Sequence, residues 1–226
     1  MEYWKKYNEK LNKFASLMIK HNQENEFNFI ENNFYNHIRD LIALSISMIQ
    51  SEDQSYTPIK ILDYGSNITT WANIHRKINT DSIDVTVFDP YHDAQTFITD
   101  LGFQFKVLSE VDHFVADYFD LTIFGSSIQY KKNFLTALKL KNSYLGDYVL
   151  FTHTPLSLEK QFVSKQFSDY KGTQTVHSFE DISNLFKKLG YKLYFKSSLP
   201  PEAASVEDKF INKTVYANLL FKKFIN

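Results

Sequence analysis

The chain contains no cysteine and only six glycines and five prolines in 226 residues. Without thiols there is no disulfide, no thiolate metal site and no cysteine nucleophile, and a reducing compartment fits. No glycine-rich loop ends in Gly-Lys-Ser/Thr, which argues against nucleotide hydrolysis. No Gly-x-Ser-x-Gly elbow occurs, which argues against an α/β-hydrolase. Neither sign of charge dominates: 25 Lys and Arg stand against 26 Asp and Glu, for a net charge of -1. No long basic block is present, so no nucleic-acid footprint is expected. The seven histidines are scattered, with no pair at metal-ligand spacing beside a carboxylate, so no metal is expected. No apolar run approaches the roughly 20 residues needed to cross a bilayer. The opening stretch MEYWKKYNEKLNKF lacks the uninterrupted apolar centre of a secretory signal. These absences lead to the expectation of a soluble, cytoplasmic protein without membrane insertion.

What is present is a chain that is 43% hydrophobic, enough for one sizeable core. Two parts differ in pattern. Residues 1–56 read as a helical extension. Trp4, Tyr7, Leu11, Phe14 and Met18 form one stripe at helical spacing, and Phe29, Phe34, Ile38, Leu41, Ser45 and Met48 form another. The two helices either pack on the core, cap a cleft, or pair with a second subunit in a homodimer. Residues 57–226 read as one α/β domain. Short apolar runs (IKILDY, IDVTVFD, FQFKVL, FDLTIFG, DYVLFTH) alternate with helix-length segments, among them HDAQTFITDL and NFLTALKL. Such alternation predicts right-handed βαβ units and a mostly parallel sheet, and unbroken apolar runs suit strands covered on both faces. SFEDISNLFKKLG predicts a helix capped by Ser178 and ended by Gly190. The strands YKLYFKSSL and KTVYANLLFKKF follow with no helix between them, so they are expected to be antiparallel neighbours.

In an open parallel sheet, ligands bind beyond the carboxyl ends of the strands. After the first strand comes Asp63, Tyr64, Gly65, Ser66 and Asn67. Gly65 lets backbone approach a ligand, and Asn67 tolerates a left-handed conformation. Asp89 ends the second strand, where a carboxylate can accept both hydroxyls of a ribose. Its separation of 26 residues from Asp63 is close to the roughly 20-residue spacing of dinucleotide-binding units. Ser109, after the third strand, either reads an adenine or caps a helix. Ser126, Ser127, Gln129 and Tyr130 follow the fourth strand, on the expected floor of the cleft. His153 follows the fifth, where it can act as a general base, hydrogen-bond a phosphate, or fill a polar pocket.

This ordering resembles the class I S-adenosylmethionine-dependent methyltransferases over about residues 57–226. The strings ILDYGS, FGSSIQY and FTHTPLS are similar, more narrowly, to a bacterial methyltransferase family associated with surface-polysaccharide synthesis. The resemblance implies a Rossmann-like, seven-stranded, mostly parallel sheet with an antiparallel last strand and helices on both faces. It implies S-adenosyl-L-methionine as cofactor, with Asp63, Gly65 and Ser66 against its methionine part and Asn67, Ser109 and Ser126 among the other cofactor-binding residues. Asp89 would hold the ribose, and Pro90 would lie beside the adenine. Ser126, Ser127, Gln129 and Tyr130 would border the methyl-transfer site, with His153 and Tyr130 as catalytic candidates and His153 the candidate base. The acceptor implied is a small sugar- or nucleotide-linked molecule, O-methylated in capsule or surface glycan synthesis. One departure is visible: Ser66, Asn67 and Ile68 stand where the family has further glycines. A nicotinamide-dependent enzyme and a non-catalytic scaffold are the alternatives. The missing Gly-x-Gly-x-x-Gly turn weighs against the first, and the polar residues converging on a cleft weigh against the second.

Overall fold

A computed structural model of the chain describes residues 33–52, 57–65, 70–71, 74, 78–89, 95–98, 104–108, 118–140, 144–165, 172–199 and 206–224. The first helix expected near the N-terminus lies outside them. The described elements begin with helix α1 (Asn33–Glu52). Strands β1 (Ile59–Tyr64), β2 (Ile83–Phe88), β3 (Gln95–Ile98), β4 (Gln104–Leu108) and β5 (Leu121–Gly125) follow. Then come helix α2 (Phe134–Leu140) and strands β6 (Tyr148–Ser157), β7 (Phe162–Lys165) and β8 (Thr173–Ser178). Helix α3 (Phe179–Lys188) and strands β9 (Tyr191–Leu199) and β10 (Thr214–Lys223) close the chain.

The main sheet has the order β3-β4-β2-β1-β5-β6-β10-β9. Strands β4, β2, β1, β5 and β6 are parallel. Strand β10 is inserted antiparallel between β6 and β9. The expected antiparallel terminal pair is therefore present, and β10 lies inside the sheet with β9 at its edge. Strand β10 (TVYANLLFKK) is buried over most of its length, whereas β9 (YKLYFKSSL) is largely exposed, as an inner and an edge strand require.

Three short strands extend the seven that were expected. The segment HDAQTFITDL, read from sequence as helical, contains β3, which pairs antiparallel with β4. Thr96, Phe97 and Ile98 favour strand geometry, and the open edge of β4 offers the hydrogen-bond partners that decide the matter. Strands β7 and β8 form an antiparallel pair, and β8 runs parallel to the last residues of β6.

Side-chain alternation on the strands divides the core into two layers. Ile61, Ile123, Leu150 and Leu220 face one side, with Ile42, Ile46 and Ile49 of α1 and with Trp71 and Ile74. Their sequence neighbours Leu62, Phe124, Phe151, Leu219 and Phe221 face the other, with Phe134 and Leu138 of α2 and Ile182 and Phe186 of α3. The second layer is strongly aromatic: Phe151 stacks on Phe124 at 5.1 Å and meets Phe186 edge-on at 5.5 Å.

Burying each isoleucine of α1 is worth about 1.5–3 kcal/mol. This helix therefore packs on the core, and its buried face is centred on Ile42, Ile46 and Ile49. At its far end Glu52 accepts hydrogen bonds from Tyr148 and Lys222, which fixes the helix to β6 and β10. Helix α3 starts as its sequence requires, with the Ser178 hydroxyl accepting from the Asp181 amide at 3.3 Å, and Gly190 takes φ +86° just beyond its end. Among the described residues no helix is long and apolar enough to cross a membrane.

Candidate active site

The parallel strands set Gly65, Asp89 and Ser126 directly after β1, β2 and β5, and His153 lies within β6 beside the end of β5. Gly65 has φ +77° and donates its amide to the Phe88 carbonyl at 2.8 Å. A Cβ placed on it would lie 2.7 Å from the Ser127 Cβ, so both the backbone conformation and the close approach require glycine here. Asp89 donates its backbone amide to the Leu108 carbonyl at 2.9 Å, and the residue is only 6% exposed.

Asp63 lies at the root of the turn, with no solvent exposure. Its Oδ2 accepts a 2.6 Å hydrogen bond from the Trp71 indole N–H, which ties the helical residues after the turn to β1. This structural task was not anticipated, nor was the burial of Trp71. Ser66, Asn67, Pro90 and Ser109 lie outside the described residues.

Two non-glycine residues here take left-handed backbone conformations: Ser126, just after β5, at φ 49°, and His153, inside β6 where it runs past the end of β5, at φ 45°. Each such residue costs roughly 1–2 kcal/mol, and strain of this kind persists where the surroundings impose it. The surroundings are visible. Ser126 donates its amide to Thr152 O at 3.0 Å and its hydroxyl to His153 O at 2.7 Å. On the other side, β10 pairs Ala217 with Thr154 and then Leu219 with Phe151, so Thr152 and His153 together oppose Asn218. This is a β-bulge, a device that re-aims side chains beside functional sites. Asn218 Oδ1 accepts the His153 amide at 2.8 Å. Since that atom must be the oxygen, Nδ2 points the other way, donating to Ser197 Oγ at 3.0 Å and lying 3.5 Å from His37 Nε2.

The His37 ring, delivered by α1, stacks on His153 at 5.7 Å with an angle of 28° between the planes. His153 is fully buried, and burial, with the neighbouring His37 second, lowers its pKa to about 4. Its imidazole is neutral at physiological pH.

Three further polar atoms are buried here without a hydrogen-bond partner among the described residues: Ser127 Oγ, Gln129 Oε1 and Thr152 Oγ1. Buried polar groups are nearly always paired, so these three, on the turn after β5 and on the neighbouring stretch of β6, are candidates to meet a polar ligand. Gln129 sits in a 3-10 turn, Ile128–Tyr130, and is 2% exposed, whereas Tyr130 is 43% exposed. The sequence-predicted residues Ser126, Ser127, Gln129 and His153 thus converge, and Tyr130 stands at their solvent side. Asn218, His37 and Thr152 were missed. Asn218 could have been found, because an asparagine inside the apolar run VYANLLF needs partners. Nothing in the sequence links His37 to His153.

Among the described residues no three His, Asp or Glu gather in an arrangement able to hold a metal ion. No protein-family model matches the chain, and no curated protein does. Solved structures do. The N1-methyltransferase for 1,6-didemethyltoxoflavin from Burkholderia thailandensis, solved with that compound and S-adenosylhomocysteine, superposes with a TM-score of 0.55. The match has 9% identity and covers 95% of this chain and 87% of that one. An O-methyltransferase from a trans-AT polyketide synthase of Brevibacillus brevis, with S-adenosylhomocysteine, gives 0.51 at 12% identity over 89% and 80% of the chains. Magnesium protoporphyrin IX methyltransferase from Synechocystis, with the same ligand, gives 0.50 at 10% identity over 94% of each.

The fold is that of the class I S-adenosylmethionine-dependent methyltransferases. In this methyltransferase fold the mostly parallel sheet and the antiparallel last strand, β10, are as the sequence implied. Strands β3, β7 and β8 are additions of this chain to the expected seven.

Proposed function

We propose that the protein is an S-adenosylmethionine-dependent methyltransferase that O-methylates a small sugar- or nucleotide-linked acceptor, in the setting of capsule or surface glycan synthesis. The observation that carries the enzymatic reading is the set of orphaned buried atoms of Ser127, Gln129 and Thr152 beside the strained Ser126 and His153. A scaffold gains nothing from unpaired buried polar groups, each of which costs about 1–3 kcal/mol. The glycan setting rests on the similarity of ILDYGS, FGSSIQY and FTHTPLS to the polysaccharide-associated family.

The residues fit the cofactor. Gly65 leaves its backbone without a side chain at the end of β1, and Asp89 supplies a carboxylate at the end of β2 for ribose hydroxyls. Ser66, Asn67, Pro90 and Ser109 are the further residues proposed to line this half. A sulfonium methyl is already activated for in-line displacement, so the bound cofactor supplies the electrophile. The chain's task is then positioning and exclusion of water. Ser127 and Gln129 orient the acceptor through buried oxygens that have no partner among the described residues. Tyr130, at the solvent side, borders it. A hydroxyl acceptor also loses a proton, and the neutral imidazole of His153 is the group proposed to receive it.

A nicotinamide-dependent enzyme fits less well, because the sixth strand of the dinucleotide fold is parallel and the strand beyond β6 here is antiparallel. Calorimetric titration with S-adenosylhomocysteine, with NAD as control, tests the reading. Micromolar binding of the first and none of the second is expected. Binding of NAD alone, or of neither, would overturn it.

A further inference from the structure

Helices α2 and α3 flank a polar groove with a cavity of about 460 Å³, a volume suited to one small molecule. Its lining includes Lys132, Asn133, Gln161, Asp181, Asn184 and Lys188. Neither lysine has an ion-pair or hydrogen-bond partner among the described residues. Drug-like sites are mostly apolar, whereas here two ammonium groups, three carboxamides, one carboxylate and the Thr136 hydroxyl outnumber the two apolar side chains, Leu135 and Leu185, which suits a charged, hydroxylated ligand.

A buried residue adjoins the groove. His177 is 1% exposed, with Nδ1 2.9 Å from Gln161 Oε1 and Nε2 3.2 Å from the Ile128 carbonyl. Both ring nitrogens therefore face acceptor atoms, which only an imidazolium satisfies in full. Burial opposes that charge and, as the largest influence, lowers the pKa of His177. The groups facing the ring are the Gln161 amide, the backbone carbonyls of Ile128 and Lys131, the Asp181 carboxylate of α3, and the Phe134 ring of α2 at 5.9 Å. A half-turn of the Gln161 amide resolves the conflict for the neutral ring, with its nitrogen then donating to Nδ1. The amide end turned away from His177 is the one available to the groove. A neutral His177 thus leaves an acceptor there, and a protonated one leaves a donor.

We propose that this groove binds a phosphorylated sugar, with Lys132 and Lys188 on the phosphate, Asp181 accepting from sugar hydroxyls, and the His177–Gln161 pair switching to its donor form as the anion enters. The Ile128 carbonyl joins this pair to the turn that carries Gln129, so the groove adjoins the proposed methyl-transfer site. As the anchor for a nucleotide- or phosphate-linked acceptor it rests on the methyltransferase reading, whereas as a binding site it does not. Because the anion and the proton favour the same Gln161 orientation, each strengthens binding of the other.

The test titrates glucose 1-phosphate into the full chain, with and without S-adenosylhomocysteine, and uses glucose and inorganic phosphate as separate controls. Glucose 1-phosphate is expected to bind more tightly than either control. The double substitution Lys132→Gln/Lys188→Gln should weaken it about tenfold or more, since two charge-assisted contacts are lost, while the urea midpoint stays unchanged. In imidazole NMR spectra the His177 titration midpoint should move up when glucose 1-phosphate is bound. No binding, or binding that survives the double substitution, overturns the groove. A stationary His177 midpoint overturns the switch. Lysine-dependent binding in a protein that ignores S-adenosylhomocysteine would keep the groove and remove the methyltransferase reading, and the reverse pattern would do the opposite.

Discussion

Replacing Gly65 with alanine separates two physical causes that coincide at the turn after β1. The first is backbone conformation: at φ +77° an L-residue pays roughly 1–2 kcal/mol. The second is contact: the new Cβ would stand 2.7 Å from the Ser127 Cβ, nearer than carbon atoms approach in real structures. Overpacking of this kind typically costs about 1–3 kcal/mol. Gly65→Ala should therefore destabilise by about 2–5 kcal/mol, a large part of the 5–15 kcal/mol a domain of this kind commonly has. Urea unfolding followed by far-UV circular dichroism measures it. Ser127→Gly removes the atom that the new methyl meets, so in that background Gly65→Ala should cost only the conformational share, about 1–2 kcal/mol. An equal penalty in both backgrounds would show that the contact with Ser127 is not the cause. A penalty below about 0.5 kcal/mol in the parent would refute the whole account, because both effects would then be absent.

Asp89→Ala should weaken S-adenosylhomocysteine binding about tenfold to a hundredfold, the value of hydrogen bonds to a charged group; unchanged calorimetric affinity would move the ribose elsewhere. Asp63→Ala should destabilise by about 1–3 kcal/mol, because the Trp71 indole N–H is left buried without its acceptor. Asp63→Asn, which keeps an acceptor, should cost less, and tryptophan fluorescence during urea unfolding compares the two. The pKa of His153 is depressed in the folded chain to about 4, so below about pH 6.5 the unfolded chain binds a proton that the folded one refuses. Stability should fall by up to about 1.4 kcal/mol per pH unit from this group between pH 6.5 and 4. His153→Gln should flatten that slope in unfolding curves taken across this window, and an identical slope in the variant would contradict the assigned burial.

Local pattern alone determined much of this protein. The apolar runs IKILDY, IDVTVFD and FDLTIFG were legible as buried parallel strands because a strand covered on both faces has no polar alternation to hide it. Ser178, Glu180, Asp181 and Gly190 marked one helix from end to end, because caps are encoded within a few residues of the helix they close. The turn residues Gly65 and Asp89 were legible for the same reason, since each sits at a strand end that the sequence itself marks. Only the tertiary structure decided the rest. Gln95–Ile98 became a strand because the edge of β4 is open beside it, a fact carried by sheet order and not by those four residues. The His153 backbone is held by Asn218, 65 residues later in the chain, and its low pKa comes from burial first and from His37, on helix α1, second. Asp63 was visible in the sequence, but Trp71 as its partner was not, because one helical turn had to fold back over the strand before the indole could reach the carboxylate. Secondary structure and turn chemistry depend on neighbours in sequence, and so they can be read there. The pairings that set the electrostatics of the site depend on neighbours in space, which exist only once the sheet has assembled.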